Sequence, residues 1–267
     1  MNALESVRKA RVYDLAQTYF QGMPHFPTHP PFLHSLTRLH GDGILPGGGS
    51  SASDALAMCS HSGTHIDALN HFSCGGHFFG GAAAEDVQDY HGIREHGADT
   101  IAPILRRGVL LDVAGIAGVS VLPEDFVTTP EHLEHACAAQ GVSVEAGDVV
   151  LLRTGWAQFF GDPRRFLPGG AKSPGPKRPG AEWLSSKRIF AAGSDTLTFE
   201  HTPNPAMPVH VHLLVECGIH IIEVLNLEEL ARDRVWEFLF VAAPLKIRHA
   251  TGAPMRPLAL VGQEFNG

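Results

Sequence analysis

Short runs of apolar residues, each bounded by glycine or turn residues, set the pattern of this chain. Residues 109–113 (VLLDV) follow a glycine and have the form of a buried strand. Residues 148–153 (DVVLLR), closed by Thr154-Gly155, and 189–193, closed by Ser194-Asp195-Thr196, repeat that form. Residues 219–224 and 238–243 (FLFVAA) predict two more strands, the last of them central. Residues 55–60 predict a strand leading into a histidine-rich segment. The span 14–32 begins as a short strand and passes into MPHFPTHPPF, where Pro24, Pro27, Pro30 and Pro31 forbid a helix.

The clearest helix is Pro130–Gln140. Pro130 stands in the first turn with Glu131 beside it, Leu133, Ala136 and Cys137 supply apolar positions, and Gly141 lies just past the end. Residues 209–217 fit a helix stopped by Gly218, and 227–232 a short one. Strands alternate with few helices, which predicts α/β layering around a β-rich core. No boundary is evident, so residues 1–267 read as a single domain, within the length range of one α/β unit. Two stretches break the pattern. Residues 42–53 (DGILPGGGSSAS) read as a flexible loop. Residues 161–180 (GDPRRFLPGGAKSPGPKRPG) are expected to be irregular and to act as a lid or an oligomer-contact arm.

Composition narrows the class. The chain is 44% hydrophobic and 18% charged, as in ordinary globular proteins. Its net charge of −8 argues against a nucleic-acid surface, which needs clustered Lys and Arg. No apolar run of roughly 18 residues predicts a membrane span, and the N-terminus lacks the apolar core of a signal peptide, so a cytoplasmic location is expected. Cys59, Cys74, Cys137 and Cys217 form no CxxC pair and read as reduced thiols. No GxSxG elbow, Walker loop or dinucleotide fingerprint occurs.

Histidine carries the candidate chemistry. There are 17, densest around residues 61–77 and 201–220. Residues 61–71 read HSGTHIDALNH. If residues 65–67 are a strand, His65 and Asp67 share a face, and a Gly63-Thr64 turn lets His61 fold back onto it. Two imidazoles and a carboxylate are a metal-ligand set for hydrolytic or redox chemistry. His71 follows four residues after Asp67, in reach of a metal's water as general acid/base. Glu223 stands in the apolar run IIEVL, where a carboxylate is costly to bury unless it is paired or binds a cation. His210 opens the helix at 209–217 and is a further candidate ligand, whereas His212 and His220 read as structural. Phe26, Phe72 and Trp156 are candidate walls of an apolar pocket for a planar or cyclic small molecule. The leading expectation is a divalent-metal hydrolase. The alternatives are a ferrous-iron oxygenase on the same two-histidine, one-carboxylate set and a metal-containing binding protein without turnover.

Residues 61–71 resemble the HxGTHxDxPxH motif of the cyclase family of metal-dependent hydrolases, which includes bacterial-type kynurenine formamidase and isatin hydrolase. Asp14-Leu15, Gly22-Met23-Pro24, Arg153-Thr154-Gly155-Trp156, Pro208-Val209-His210 and Gly252-Ala253-Pro254 resemble further family segments, so the likeness spans nearly the whole chain. The resemblance implies a swivelling β/β/α fold and a divalent metal, Zn2+ or Mn2+. It implies His61, His65 and Asp67 as ligands, His71 as acid/base and Glu223 as a further metal-site residue. The reaction it implies is hydrolysis of an amide-like C–N bond in an aryl formamide or cyclic amide, by metal-bound hydroxide. Lactone hydrolysis or polyketide-type cyclisation on the same site is the alternative. A homo-oligomer, dimer or tetramer, with pockets near subunit contacts is also implied. The chain departs from the motif at Leu69, where the family has proline. It also departs in the second ligand segment, where the formamidase spacing falls nearer Val211 than His210.

Overall fold

A computed structural model describes residues 8–169 and 172–262. Nine strands form its main sheet: β1 (Arg11–Asp14), β2 (His65–Asp67), β3 (Ile104–Asp112), β4 (Val149–Arg153), β5 (Ala191–Ser194), β6 (His220–Glu223), β7 (Glu237–Ala242), β8 (Gly252–Pro254) and β9 (Leu258–Val261). Their order across the sheet is β1-β9-β7-β3-β4-β5-β6-β2-β8. The central four, β3 to β6, run parallel. Both flanks are antiparallel, β7, β9 and β1 on one side and β2 and β8 on the other.

Parallel strands covered on both faces read as continuous apolar runs, which is why β3 to β6 stand out in the sequence. The strand period of two then sorts their side chains. Val109, Leu111, Val150 and Leu152 face helices α1 (Pro130–Gln140) and α2 (Arg178–Ser186), meeting Leu133, Ala136 and Leu184. Leu110, Val149 and Leu151 point the other way, into a cluster with Phe238, Phe240 and Ile222. Tyr13 of β1 and Ile66 of β2 lie near opposite edges of the sheet, yet both join this second cluster. The sheet therefore curls around it. Each fully buried Val or Leu contributes about 1.5–3 kcal/mol of transfer free energy.

Helix α1 starts and stops as its sequence predicts. The Thr129 hydroxyl accepts from the His132 backbone N–H, and Gly141 adopts the left-handed φ of 69° that ends the helix. The architecture is mixed α/β around a β-sheet core, as expected. Two expectations need correction. Residues 55–60 do not run as a strand into the histidine motif. The strand is instead Ser53–Ala57, pairing with Leu33–Arg38 in a ribbon outside the main sheet. The stretch 161–180 is more ordered than its prolines and glycines suggest. It holds a helical turn at Pro163–Phe166, a short strand Gly175–Pro176 paired with Val127–Thr128, and the start of α2. Phe166 is wholly buried and anchors it. Gly170 and Ala171 fall outside the described residues.

Residues 209–217 are helical with an unexpected winding. Helix α3 (Pro208–His210) passes directly into a π-helical stretch, Val211–Glu216. The Cys217 N–H reaches back five residues to the His212 carbonyl at 3.0 Å. Such wide turns recur at functional sites, because they re-aim one side chain within a helix.

Candidate metal centre

Strand β2 delivers His65 and Asp67 to one face and sends Ile66 into the core on the other. Its neighbours complete the arrangement by register: Glu223 of β6 lies opposite His65, and Gly252 of β8 opposite Asp67. The turn before β2 depends on glycine. Gly63 has a φ of 56° and packs against the Tyr19 ring, where a Cβ would collide. The Tyr19 hydroxyl donates to the Ser62 carbonyl at 2.6 Å, fixing the turn. His61 thus folds back as expected. Its Nδ1 lies 2.7 Å from Asp67 Oδ1, and its Nε2 lies 2.9 Å from the Thr251 hydroxyl. A Cβ on residue 252 would stand 2.6 Å from the His61 ring, so glycine there makes room for it.

The second segment approaches from α3. His210 Nε2 lies 3.4 Å from Glu223 Oε1 and 3.9 Å from Asp67 Oδ2. His65 Nε2 lies 3.3 Å from Glu223 Oε2 and 3.5 Å from Asp67 Oδ1. Each ring is aimed by its other nitrogen: His65 Nδ1 donates to the Gly63 carbonyl at 2.8 Å, and His210 Nδ1 donates to Glu200 Oε1 at 2.6 Å. This is how ligating histidines are normally oriented.

These groups fit a divalent cation. His65 Nε2, Asp67 Oδ2 and Glu223 Oε1 are buried without a hydrogen-bond partner. Ligand atoms about 2.1 Å from one tetrahedral ion stand about 3.4 Å apart, close to the separations above. Charge agrees with geometry. Burial alone would lower the histidine pKa values, yet hydrogen bonds and charge from Asp67, Glu200 and Glu223 push His65 and His210 up to about 10. Buried carboxylates so placed call for positive charge, which a divalent ion supplies. Among the described residues, His61, His65 and Asp67 form one group able to hold an ion, and Asp67, His210 and Glu223 form another. Asp67 belongs to both.

His71 stands beside the cluster, its ring centroid 4.0 Å from that of His61. Burial pushes its pKa down to about 3, so the ring is neutral at pH 7. A cavity of about 200 Å³ opens onto Glu223, His210 and His71, with Phe26, Phe72 and His29 among its other walls. A more open hollow of about 600 Å³, lined in part by Gln17, Met58 and Leu245, contains none of these groups. The cavity is the smaller of the two, but it is where the chemistry is.

Trp156 is absent from the cavity wall, contrary to expectation. Its ring sits in a buried cluster with Met23, Phe160 and Phe166, and its indole N–H donates to the Phe166 carbonyl at 3.0 Å. An aromatic residue after a strand end carries no mark of which side it will face. His212 and His220 have structural contacts, His212 with Glu216 and Ser185, and His220 with the Asp67 carbonyl at 2.9 Å. Three site residues are not evident from the sequence: Glu200, Thr251 and His29. Glu200 is fully buried but stands in no apolar run that would flag it. Among the described residues no helix is long and apolar enough to cross a membrane.

The family model described as "Putative cyclase" matches residues 13–201. The chain is 29% identical to the isatin hydrolase of Roseibium aggregatum over 247 residues, covering 89% of this chain and 84% of that protein. It is 26% identical to the kynurenine formamidase of Erythrobacter litoralis over 239 residues, covering 89% and 88%. A crystal structure of a novel cyclase superposes with a TM-score of 0.85 at 29% identity, covering 96% of this chain and 89% of that one. With the motif, the sheet and the family match in agreement, the chain belongs to the cyclase family.

Proposed function

We propose that this protein is a metal-dependent hydrolase that cleaves an amide-like C–N bond in an aryl formamide or a cyclic amide. The observation that carries the reading is the His71 ring beside unpartnered ligand atoms in the wall of one cavity. His65, Asp67, His210 and Glu223 would hold the cation, with His61 able to join through Asp67. A bound Zn2+ or Mn2+ supplies Lewis acidity toward the carbonyl oxygen and acidifies water. Phe26 and Phe72 enclose the aryl ring and exclude bulk water. His71 takes a proton from the attacking water and returns it to the leaving nitrogen as the C–N bond breaks. Glu200 keeps the His210 Nδ1 proton in place, so that His210 presents Nε2 to the site. The relatives named for isatin and kynurenine formamide hydrolysis support both bond types. The setting in which we place this activity is a cytoplasmic homo-oligomer, a dimer or a tetramer.

The test is turnover of N-formylaniline, N-formylkynurenine, isatin and a simple lactone by protein loaded with Zn2+ or Mn2+. His71→Ala should retain metal while turnover of the preferred amide falls by roughly 10²–10⁴. Full activity in that variant removes His71 from the mechanism. Turnover of the lactone alone would replace the C–N reading.

A further inference from the structure

Outside the metal cavity, two hollows of about 390 Å³ and 300 Å³ share Gln140, Arg234 and Trp236 and so form one groove. It runs between the end of α1 and the segment leading into β7, and none of its lining residues belongs to the metal cavity. Its polar groups divide into two sets. The acids are committed: Asp112 Oδ1 accepts from Arg153 at 2.8 Å, and Glu237 Oε2 accepts from Arg107 at 2.8 Å. Gln140 is committed at both ends, its Nε2 donating to the Leu110 carbonyl at 2.8 Å and its Oε1 accepting from the Asp112 N–H at 3.0 Å. The Arg234 guanidinium, the His135 ring and the Trp236 indole N–H have no partner among the described residues. Every uncommitted side chain can therefore donate, and one carries a fixed positive charge. Arg234 also stands at an unusual place for its type. It follows the helix Glu228–Arg232 with a φ of 55°. Its N–H donates to the Ala231 carbonyl at 3.1 Å, and the Val235 N–H donates to the Leu230 carbonyl at 2.9 Å. Glycine is the usual residue in this helix-ending turn, because a Cβ is disfavoured at such a φ. A long cationic side chain held there points to a use beyond ending the helix.

We propose that this groove is a binding site for a small planar anion, an aryl carboxylate, with Arg234 taking the carboxylate and Trp236 the ring. The inference is independent of the hydrolase reading above. A guanidinium presents paired N–H groups that match the two oxygens of a carboxylate. Trp236, only partly buried, sets a flat apolar face beside that charge, and aromatic rings stack on such a face. Val142 and Val261 extend the apolar wall. The lining holds one arginine and no lysine, which suits a single negative charge, and the flanking Asp112 and Glu237 oppose a second one. The net charge of −8 gives the chain no general attraction for anions, so binding depends on this local arrangement.

The experiment is calorimetric titration of metal-loaded protein with benzoate, its neutral analogue benzamide, and inorganic phosphate. Arg234→Gly removes the guanidinium and suits the left-handed backbone, so its Tm should stay close to that of the wild type. Arg234→Lys keeps the charge without the paired N–H groups. The expected result is a benzoate Kd of about 1 mM or tighter, with benzamide and phosphate at least about tenfold weaker. Benzoate affinity should fall by about tenfold or more in Arg234→Gly and recover in part in Arg234→Lys. Asp67→Asn, which removes the carboxylate common to both metal-ligand groups, should leave the benzoate Kd within about twofold of wild type. Benzoate binding that survives Arg234→Gly overturns the inference. So does binding that disappears in Asp67→Asn, which would place the anion on the metal. Absence of saturable binding below about 1 mM overturns it as well, and equal affinity for benzoate and phosphate overturns the aryl-carboxylate assignment.

Discussion

Glu200 Oε1 accepts the Nδ1 proton of His210 at 2.6 Å and also the His210 backbone N–H at 3.1 Å. One carboxylate thus fixes both the ring and the first turn of α3, and it does so from full burial. Partners of this kind typically carry 10–100-fold in metal affinity. Glu200→Gln keeps an acceptor but loses the charge that favours a ligating imidazole. Competition with a chromophoric chelator should show metal binding weakened by about 10–100-fold, with the circular dichroism spectrum unchanged. Wild-type affinity in this variant would make the Glu200–His210 contact a packing feature only.

Removal of metal should cost stability. Without an ion, Asp67 and Glu223 keep buried oxygens that make no hydrogen bond. An ion at about 100 times its dissociation constant stabilises the native state by about 2.7 kcal/mol. At roughly 2–4 °C per kcal/mol for a chain of this size, chelation should lower Tm by about 5–10 °C. Asp67→Asn removes the carboxylate common to both ligand groups, and its Tm should not respond to added Zn2+. A chelator-insensitive wild-type melting curve would argue against an occupied site.

What the sequence discloses and what it hides have separate physical causes. β3 to β6 are visible because strands buried on both faces need no polar alternation, as in Val149, Val150, Leu151 and Leu152. β8 is invisible as a strand: Gly252 and Pro254 argue against one, and only pairing with β2 overrides them. His61, His65 and Asp67 are legible because one turn and one strand place them together, and Glu223 because an acid in an apolar run needs a partner. Glu200, His29 and Thr251 come from separate loops, and only the folded sheet brings them to the site. Their local sequence holds no periodicity or charge anomaly that would announce them.

Trp156 offers a direct check on the pocket boundary. Its ring packs with Phe160 and Phe166 and makes its hydrogen bond inside that cluster, which backs the cavity wall through Leu197 and Phe26 while Trp156 itself lines none of it. Trp156→Ala should destabilise the fold by about 3–5 kcal/mol in urea denaturation, as large-to-small core changes do. Trp156→Phe should lose less, with KM within about twofold of wild type. A large rise in KM without loss of stability would return Trp156 to the cavity wall.

Asp195 predicts a pH dependence unconnected to the metal. Its Oδ1 accepts from the Thr154 N–H at 2.9 Å and the Thr154 hydroxyl at 2.6 Å, while Oδ2 is buried without a partner. Burial outweighs those hydrogen bonds and pushes its pKa up to about 6. The folded protein therefore holds this proton more tightly than the unfolded chain, whose aspartate titrates near 3.9. The sign follows from linkage. The contribution is fully present below the unfolded value and is lost as pH rises through about 6. Across that window the loss is on the order of 3 kcal/mol, taking about 1.4 kcal/mol per pK unit. Asp195→Asn cannot ionise, so its stability relative to wild type should improve between pH 4.5 and pH 8. Denaturation of both proteins across that range measures the difference. A constant gap between the two curves would mean that Asp195 titrates as an ordinary carboxylate, with water reaching Oδ2.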